Sequence, residues 1–229
     1  MRLQKYLAYA GLCSRRKAEE YMVNGRVKVN GKVVRVLGTQ VDPGSDIVLF
    51  DESRIILKQD TKKIYIALNK PEGYVSSCAR QNSKIVMDLI KLDKRIYPVG
   101  RLDKDSKGLI LLTNDGELHH KLSHPSFDHE KEYRVTTSSP ISDKALRLMA
   151  GGMVIDNKKT RKAGVERISD KQFKIVLKEG RNRQIRKMIE QTGNKVKTLQ
   201  RIRIANIRLG KLKEGNWRYL SLKEINGLT

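Results

Sequence analysis

Apolar and polar positions along the first fifty residues change period twice. Leu3, Tyr6, Leu7 and Ala10 recur at helical spacing as far as Gly11, and Ser14 is placed to cap a second helix whose Ala18, Tyr21 and Met22 share a face. Arg26 to Val34 then alternates around Asn30-Gly31, a pair suited to the positive φ angles of a tight hairpin. Asp42-Pro43-Gly44 predicts a turn before a strand from Ile47 to Phe50. Residues 51–63 turn polar, interrupted only by Ile55 to Leu57, and predict a linker.

Beyond the linker, strand patterns fall at Ile64 to Leu68, Gly108 to Leu112, Tyr133 to Thr137, Phe173 to Leu177 and Val196 to Ile204. Helix patterns fall near Ile85 to Leu92, Glu117 to Leu122, Asp143 to Met149 and Gln184 to Glu190. Strands and helices mix without regular βαβ alternation, which predicts an α+β fold rather than a doubly wound sheet. The expected organisation is a small domain at 1–50, a linker at 51–63 and a larger domain at 64–229, with no fixed-period repeat.

Composition narrows the function classes. With 38% hydrophobic residues in 229, the chain can build a packed core. It carries 48 Lys/Arg against 25 Asp/Glu, a formal charge of +23, and an excess this large calls for a polyanionic partner, nucleic acid being the commonest. No apolar run reaches membrane-spanning length and no signal-peptide pattern follows Met1, so a cytoplasmic protein without a membrane is expected. Cys13 and Cys78 are far apart and lack metal-site company; both are read as buried or half-buried thiols. His119, His120, His124 and His129 match no zinc spacing and are read as surface or backbone-bonding residues. No Walker loop, GxSxG or GxGxxG occurs.

Charge is concentrated in two places. Residues 1–36 hold nine Lys/Arg, and Arg15, Arg16 and Lys17 open the second helix, where cations oppose the helix dipole and point to a phosphate ligand. Residues 171–211 hold thirteen Lys/Arg against Glu179 and Glu190. Within them, a helix beginning near Asn182 would offer a phosphate site at its start. Arg183, Arg186 and Lys187 cannot all face one way, so one cation is free to turn inward toward a buried carboxylate.

The most informative stretch is Tyr97 to Gly108, a polar, glycine-bracketed loop feeding the apolar strand Leu109 to Thr113. Such a loop displays working side chains on a rigid scaffold, and Asp103 is the prime candidate, although by itself it reads more readily as a turn or capping aspartate. Asp103, Asp105 and Gly108 imitate an EF-hand, but Lys107 stands where the loop needs Asp or Asn and Asn114 where it needs a bidentate Glu. Arg101, Lys104 and Lys107 would also compete with any divalent ion for the carboxylates. No metal and no cofactor are expected.

These motifs together resemble the bacterial ribosomal-RNA pseudouridine synthases of the RsuA type, which carry an S4-like RNA-binding domain ahead of a mixed, largely antiparallel-sheet catalytic domain. The resemblance spans essentially the whole chain. It rests on Arg2-Leu3-Gln4-Lys5-Tyr6-Leu7, Gly11 to Lys17 and Gly25 to Gly31, and on Leu68 to Gly73, Gly100 to Asp103, Glu130 to Tyr133 and Glu179 to Arg186. The wording around Asp103 and Tyr133 is similar to the large-subunit enzymes of the RluB/RluF-like group rather than the small-subunit prototype.

The resemblance implies isomerisation of a uridine in ribosomal RNA, with Asp103 as the catalytic carboxylate acting either as nucleophile or as base toward the sugar. It implies Tyr133 as the residue that stacks on the flipped base, and no cofactor. Arg186 is the expected partner keeping Asp103 ionised, with Arg181 as fallback. Arg101 is expected to fill the gap in the RNA or grip a phosphate, and Lys70 and Pro71 to shape the pocket. Arg2, Lys5, Arg15, Arg16, Lys17, Arg26, Lys28, Arg181 and Arg183 complete the expected RNA contacts, on a monomer. The competing reading is a non-catalytic S4-type RNA-binding or ribosome-assembly factor; the coexistence of Asp103, Tyr133 and the Arg-Asn-Arg-Gln-Ile-Arg stretch argues against it.

Overall fold

In a computed structural model that describes residues 1–57, 62–80, 82–124 and 127–228, the chain separates into two units, Met1–Lys62 and Lys63–Thr229. The first begins with helices α1 (Leu3–Tyr9) and α2 (Arg15–Val23). The Ser14 hydroxyl accepts the Lys17 amide at 3.1 Å, which caps α2 as the sequence predicts. Strands β1 (Val27–Val29) and β2 (Lys32–Val33) form the hairpin, with Asn30 at φ 50° and Gly31 at φ 78°. Strand β3 (Val48–Phe50) pairs with β1, and Leu3, Leu7, Ala18, Met22, Val27 and Val48 bury completely between helices and sheet.

The expected linker starts later than the polarity of residues 51–63 implies. Asp51 and Glu52 take positive φ and turn the chain into β4 (Ser53–Ile55), which pairs antiparallel with β3. Ile55 and Leu57 pack on the N-terminal core, and the Ile55 carbonyl accepts the Tyr6 hydroxyl at 2.9 Å. Ile55 therefore ends an edge strand that includes the polar Ser53 and Arg54 before it. Residues 58–61 of the expected linker lie outside the described residues.

The second unit is built on one twisted sheet. In chain order it contains β5 (Tyr65–Lys70), a 3-10 turn (Val86–Leu89), β6 (Tyr97–Val99), β7 (Lys107–Thr113), α3 (Gly116–Ser123), β8 (Lys131–Thr137) and α4 (Asp143–Gly151). There follow β9 (Val154–Ile155), β10 (Lys158–Lys159), β11 (Gly164–Ser169), β12 (Gln172–Leu177), α5 (Gln184–Glu190), β13 (Val196–Ile204), β14 (Ile207–Arg208), β15 (Trp217–Tyr219) and α6 (Leu222–Asn226). The main order is β11-β12-β8-β13-β7-β5-β15, with β14 beside β13 and β6 beside β7. Among the described strands every pairing of this sheet is antiparallel except β13 with β7, so the fold is α+β with a mixed, largely antiparallel sheet.

Both faces of the sheet are covered around β7. One core joins Ile66, Leu68, Ile110 and Leu112 to α4 and α5, and the other joins Ala67, Leu109 and Leu111 to Leu118 and Leu122 of α3. Successive strand residues point to opposite faces, so the continuous run Leu109 to Leu112 feeds both cores. The helix expected near 85–92 shrinks to the single 3-10 turn, where Asp88 accepts the Ile85 amide at 3.0 Å. Three β-branched residues in Ile85 to Ile90 favour that outcome over a longer helix.

Candidate active site

The parallel pairing of β13 with β7 sets the site. Gln200 and Arg201 of β13 lie in register with Lys107 and Gly108 of β7, immediately after the Asp103 loop. A Cβ at residue 108 would meet the Arg201 carbonyl oxygen at 2.2 Å, and φ there is +105°, so only glycine lets the two strands close. On its other side Arg201 is the cross-strand partner of Tyr133 on β8. Asp103's loop and Tyr133 are thus brought to the two edges of the same strand.

Every backbone carbonyl from residue 101 to 106 has a hydrogen-bond donor. Arg101 O accepts Arg201 Nη1 at 3.3 Å, Leu102 O accepts the Ser76 hydroxyl at 2.8 Å, and Asp103 O accepts the Ser106 amide at 3.1 Å. Lys104 O accepts the Gly73 amide at 2.8 Å, Asp105 O accepts Arg186 Nη2 at 2.8 Å, and Ser106 O accepts Lys70 Nζ at 2.5 Å. Ser76 Oγ also accepts the Leu102 amide at 3.0 Å. A loop with all its backbone carbonyls occupied has little room to rearrange, which is what a displayed reactive group requires.

Three of those donors are buried cations. Lys70 is 0%, Arg201 3% and Arg186 9% exposed. Lys70 also reaches Pro71 O at 3.0 Å, and Arg201 Nε reaches Leu109 O at 2.7 Å. Lys70 and Arg201 make no ion pair among the described residues, and Arg201 Nη2 is buried with no hydrogen-bond partner. Burial depresses the Lys70 ammonium to about 8; Glu72, Asp105 and Asp103 pull it back up, and Arg201 pushes it further down. Burying such charge is costly, so an anion nearby is what makes it tolerable.

Asp103 is half-buried, and among the described residues its carboxylate makes no hydrogen bond or ion pair. This corrects the expectation for Arg186. Its Nε lies 3.3 Å from Asp105 Oδ2, and it also approaches Ser106 Oγ, so it anchors the loop next door instead of saturating Asp103. Arg183 binds Asp105 as well, at 3.0 Å. Arg181, the fallback, turns to Glu179 at 3.2 Å and to the carbonyls of Lys158 and Lys159. The inward cation is Arg186, as the helical spacing allows, and its acceptors are the Asp105 carbonyl and carboxylate and the Ser106 hydroxyl.

At the start of α5, where a phosphate site is expected, the chain takes a left-handed turn. Arg183 sits there at φ 52°, the Gln184 side chain accepts the Arg181 amide at 3.1 Å and donates to Glu179 at 2.8 Å, and the helix has only seven residues. Tyr133 is 9% exposed at the edge of the main core, and among the described residues its hydroxyl has no hydrogen-bond partner. Arg101 is exposed with an unpaired guanidinium among the described residues.

In the N-terminal unit the expected RNA-binding cations divide into two groups. Arg2, Arg15 and Arg16 are exposed and, among the described residues, unpaired; Lys5 lies 5.1 Å over the Tyr9 ring. Lys17 pairs with Glu20 at 2.6 Å and Lys28 with Glu52 at 2.6 Å. Arg26 is ion-paired to Asp51 and lies 4.6 Å from the Tyr21 ring and 4.5 Å from the Phe50 ring, so it pins the sheet to α2. Cys13 is half-buried, whereas Cys78 is exposed, contrary to the reading of it as a sheltered thiol. No group of three or more His, Cys, Asp or Glu among the described residues is arranged to hold a metal.

Sequence reasoning gave Lys70 only a pocket-shaping part and did not single out Arg201 or Ser76. Arg201 carries a readable signal: in Val196 to Ile204 it occupies the inward phase set by Leu199, and an arginine at a core position of a strand needs a special reason. Ser76, in an irregular loop, carries none.

A small basic domain and a sheet domain that displays one carboxylate on a rigid loop define an RNA-modifying protein. A family model described as RNA pseudouridylate synthase matches residues 64–191, a model of the S4 domain matches residues 1–47, and the chain belongs to the RNA pseudouridine synthases. It is 42% identical over 225 residues to the dual-specificity RNA pseudouridine synthase RluF of Escherichia coli (strain K12), covering 98% of this chain and 77% of that protein. An RNA pseudouridine synthase of Aquifex aeolicus is 39% identical over 232 residues, covering 98% of this chain and 92% of its own. Among solved structures, a pseudouridylate synthase superimposes with TM-score 0.75 at 30% identity over 100% of both chains. The chain is an enzyme that converts uridine in RNA to pseudouridine.

Proposed function

We propose that the substrate is a uridine of ribosomal RNA in the large subunit, and that Asp103 is the catalytic carboxylate. The reaction breaks the bond from N1 to the ribose, turns the base and joins C5 to the same carbon. C5 must lose a proton and N1 must gain one, so atoms balance without a cofactor. Asp103 opens the sequence as nucleophile or as base toward the sugar, and both routes need it ionised.

The observation that carries this reading is the complete bonding of the six carbonyls that flank Asp103, half of them to buried cations. Lys70, Arg186 and Arg201 fix where the loop holds the carboxylate, while leaving its oxygens free for the nucleotide. Tyr133, across from Arg201, supplies the face on which the flipped uracil stacks. Arg101, exposed two residues before Asp103, is placed to occupy the space the uridine leaves or to hold a phosphate. The Met1–Lys62 unit anchors the RNA through Arg2, Lys5, Arg15 and Arg16, with Lys17, Arg26 and Lys28 working mainly inside the protein. No described helix is long and apolar enough to cross a membrane, and a monomeric enzyme in the cytoplasm fits this reading.

Mapping of pseudouridine across ribosomal RNA from cells with and without the gene tests the substrate. Complementation with Asp103→Asn tests the residue: no pseudouridine should return, and RNA affinity should stay within about two-fold, because the carboxylate makes no phosphate contact. Modification restored by the Asn variant would refute the role of Asp103.

A further inference from the structure

The four histidines take no part in the site described above, yet three of them surround an aromatic ring that no core needs. Phe127 is 43% exposed and belongs to none of the three hydrophobic clusters, whereas Phe50 and Phe173 pack in cores. Its ring centroid lies 5.9 Å from His120, 6.3 Å from His124 and 6.4 Å from His129. His120 and His124, one turn apart on α3 and its C-terminal end, are 5.1 Å from each other. His120 and His124 are exposed and His129 is half-buried. The result is a surface of four rings on a protein of formal charge +23.

Two features join this surface to the reaction centre. His129 leads directly into β8, four residues before Tyr133, at most about 13 Å along an extended strand. Between them, the Lys131 ammonium donates to the His129 carbonyl at 3.3 Å, and burial and then the Arg201 guanidinium lower its pKa. The rim is cationic: Lys121 is exposed, and the acid beside Phe127, Asp128, is neutralised by Arg161. The Phe127 and His129 rings are near-parallel, 20° apart in tilt. A flat, exposed, uncharged ring with imidazole neighbours and a basic rim suits the face of a nucleobase and the phosphates beside it.

We propose that Phe127, with His120, His124 and His129, is a stacking site for an unpaired nucleobase that flanks the target uridine in the RNA. This rests on the ribosomal-RNA reading for the identity of the strand, but the ring contact itself is independent of it. Holding a neighbouring base out of its helix keeps the target exposed for Tyr133 and Asp103. The site therefore acts on substrate capture and site choice, and leaves the bond-making step alone.

The test uses the full-length enzyme with Phe127→Ala, Phe127→Tyr and His129→Ala. Once the modified uridine is mapped, 2-aminopurine is placed in turn at the three nucleotides on either side in a ribosomal-RNA transcript. Wild type should quench the fluorescence at one flanking position. Phe127→Ala should remove that quench and raise KM about ten-fold, the effect of losing one base–ring stack, with kcat within two-fold and thermal midpoint unchanged. Phe127→Tyr should restore both, and His129→Ala should give a smaller KM effect. Unchanged quench and KM in Phe127→Ala would overturn the proposal, as would a fall in thermal midpoint with KM constant, which would make the rings mere local packing. If wild type leaves ribosomal RNA unmodified, the substrate reading fails separately, and quench of 2-aminopurine in an oligouridine by wild type but not by Phe127→Ala decides the stacking site.

Discussion

The N-terminal helices and the Asp103 loop are both rich in arginine and lysine, and they use them in opposite ways. Arg15 and Arg16 stand exposed and unpaired among the described residues at the start of α2. Around Asp103, Lys70, Arg186 and Arg201 turn inward and spend their donors on backbone carbonyls. An exposed cation keeps its charge available to phosphate and binds by counterion release, with little demand on geometry. A buried cation bonded to carbonyls does little for RNA affinity but fixes a loop and charges its surroundings. One region should therefore control how tightly RNA is held, and the other how fast the held nucleotide reacts.

The sharpest way to break this contrast is to unfasten the loop. Arg201→Met removes the donors to Arg101 O and Leu109 O, and kcat should fall about 10²-fold, as expected when a reacting group is misplaced by about 1 Å. RNA affinity should hold within two-fold; single-turnover kinetics together with filter binding separates the two. If affinity fell instead of rate, Arg201 would belong with the exposed group.

The converse change is Arg15→Glu with Arg16→Glu. Affinity should drop by about ten-fold or more at low salt, the slope of log Kd against log salt should shrink by about one per lost contact, and kcat at saturating RNA should stay unchanged. An unaltered slope would show that these residues do not touch phosphate.

Lys70 sharpens the comparison through pH. Its pKa is near 8 in the fold and about 10.5 in the unfolded chain, so the folded state binds fewer protons between these values. Stability conferred at this site rises as pH climbs from 8 toward 10.5 and is constant below 8, where both states are protonated. Lys70→Met should remove this pH-dependent gain, of the order of 1–3 kcal/mol, as read by urea denaturation at pH 7 and pH 9.5. Wild-type kcat should decline over the lower part of the same window as the buried charge is lost.

The smallest effect is expected where the two uses of a cation merge. Arg26→Ala loses the contacts to Tyr21, Phe50 and Asp51 and should lower the thermal midpoint of the N-terminal unit slightly, with a salt slope close to wild type. A steep loss of slope would return Arg26 to the RNA-binding group.

Local patterns already contained much of the architecture. The Ser14 cap, the Asn30-Gly31 hairpin, the strands through residues 65–70, 107–113, 131–137, 172–177 and 196–204, and the helices at 116–123, 143–151 and 184–190 all follow from periodicity and turn chemistry, which act over a few residues. The edge strands β4, β11 and β15 escaped notice because half-exposed edges show little alternation. Asp103 and Tyr133 stood out only within motifs, since an aspartate in a loop and a tyrosine in a strand are commonplace.

What the chain alone determined is which residues form elements and that a polyanion is the partner, because propensity, period and net charge are properties of neighbours or of the sum. Which cation faces solvent and which is buried was decided by tertiary structure. Arg186 and Arg183 are three residues apart, yet one is 9% exposed and the other lies at the surface. Arg201 meets Arg101 only because Gly108 lets β13 close on β7, a contact across 100 residues that no local pattern encodes.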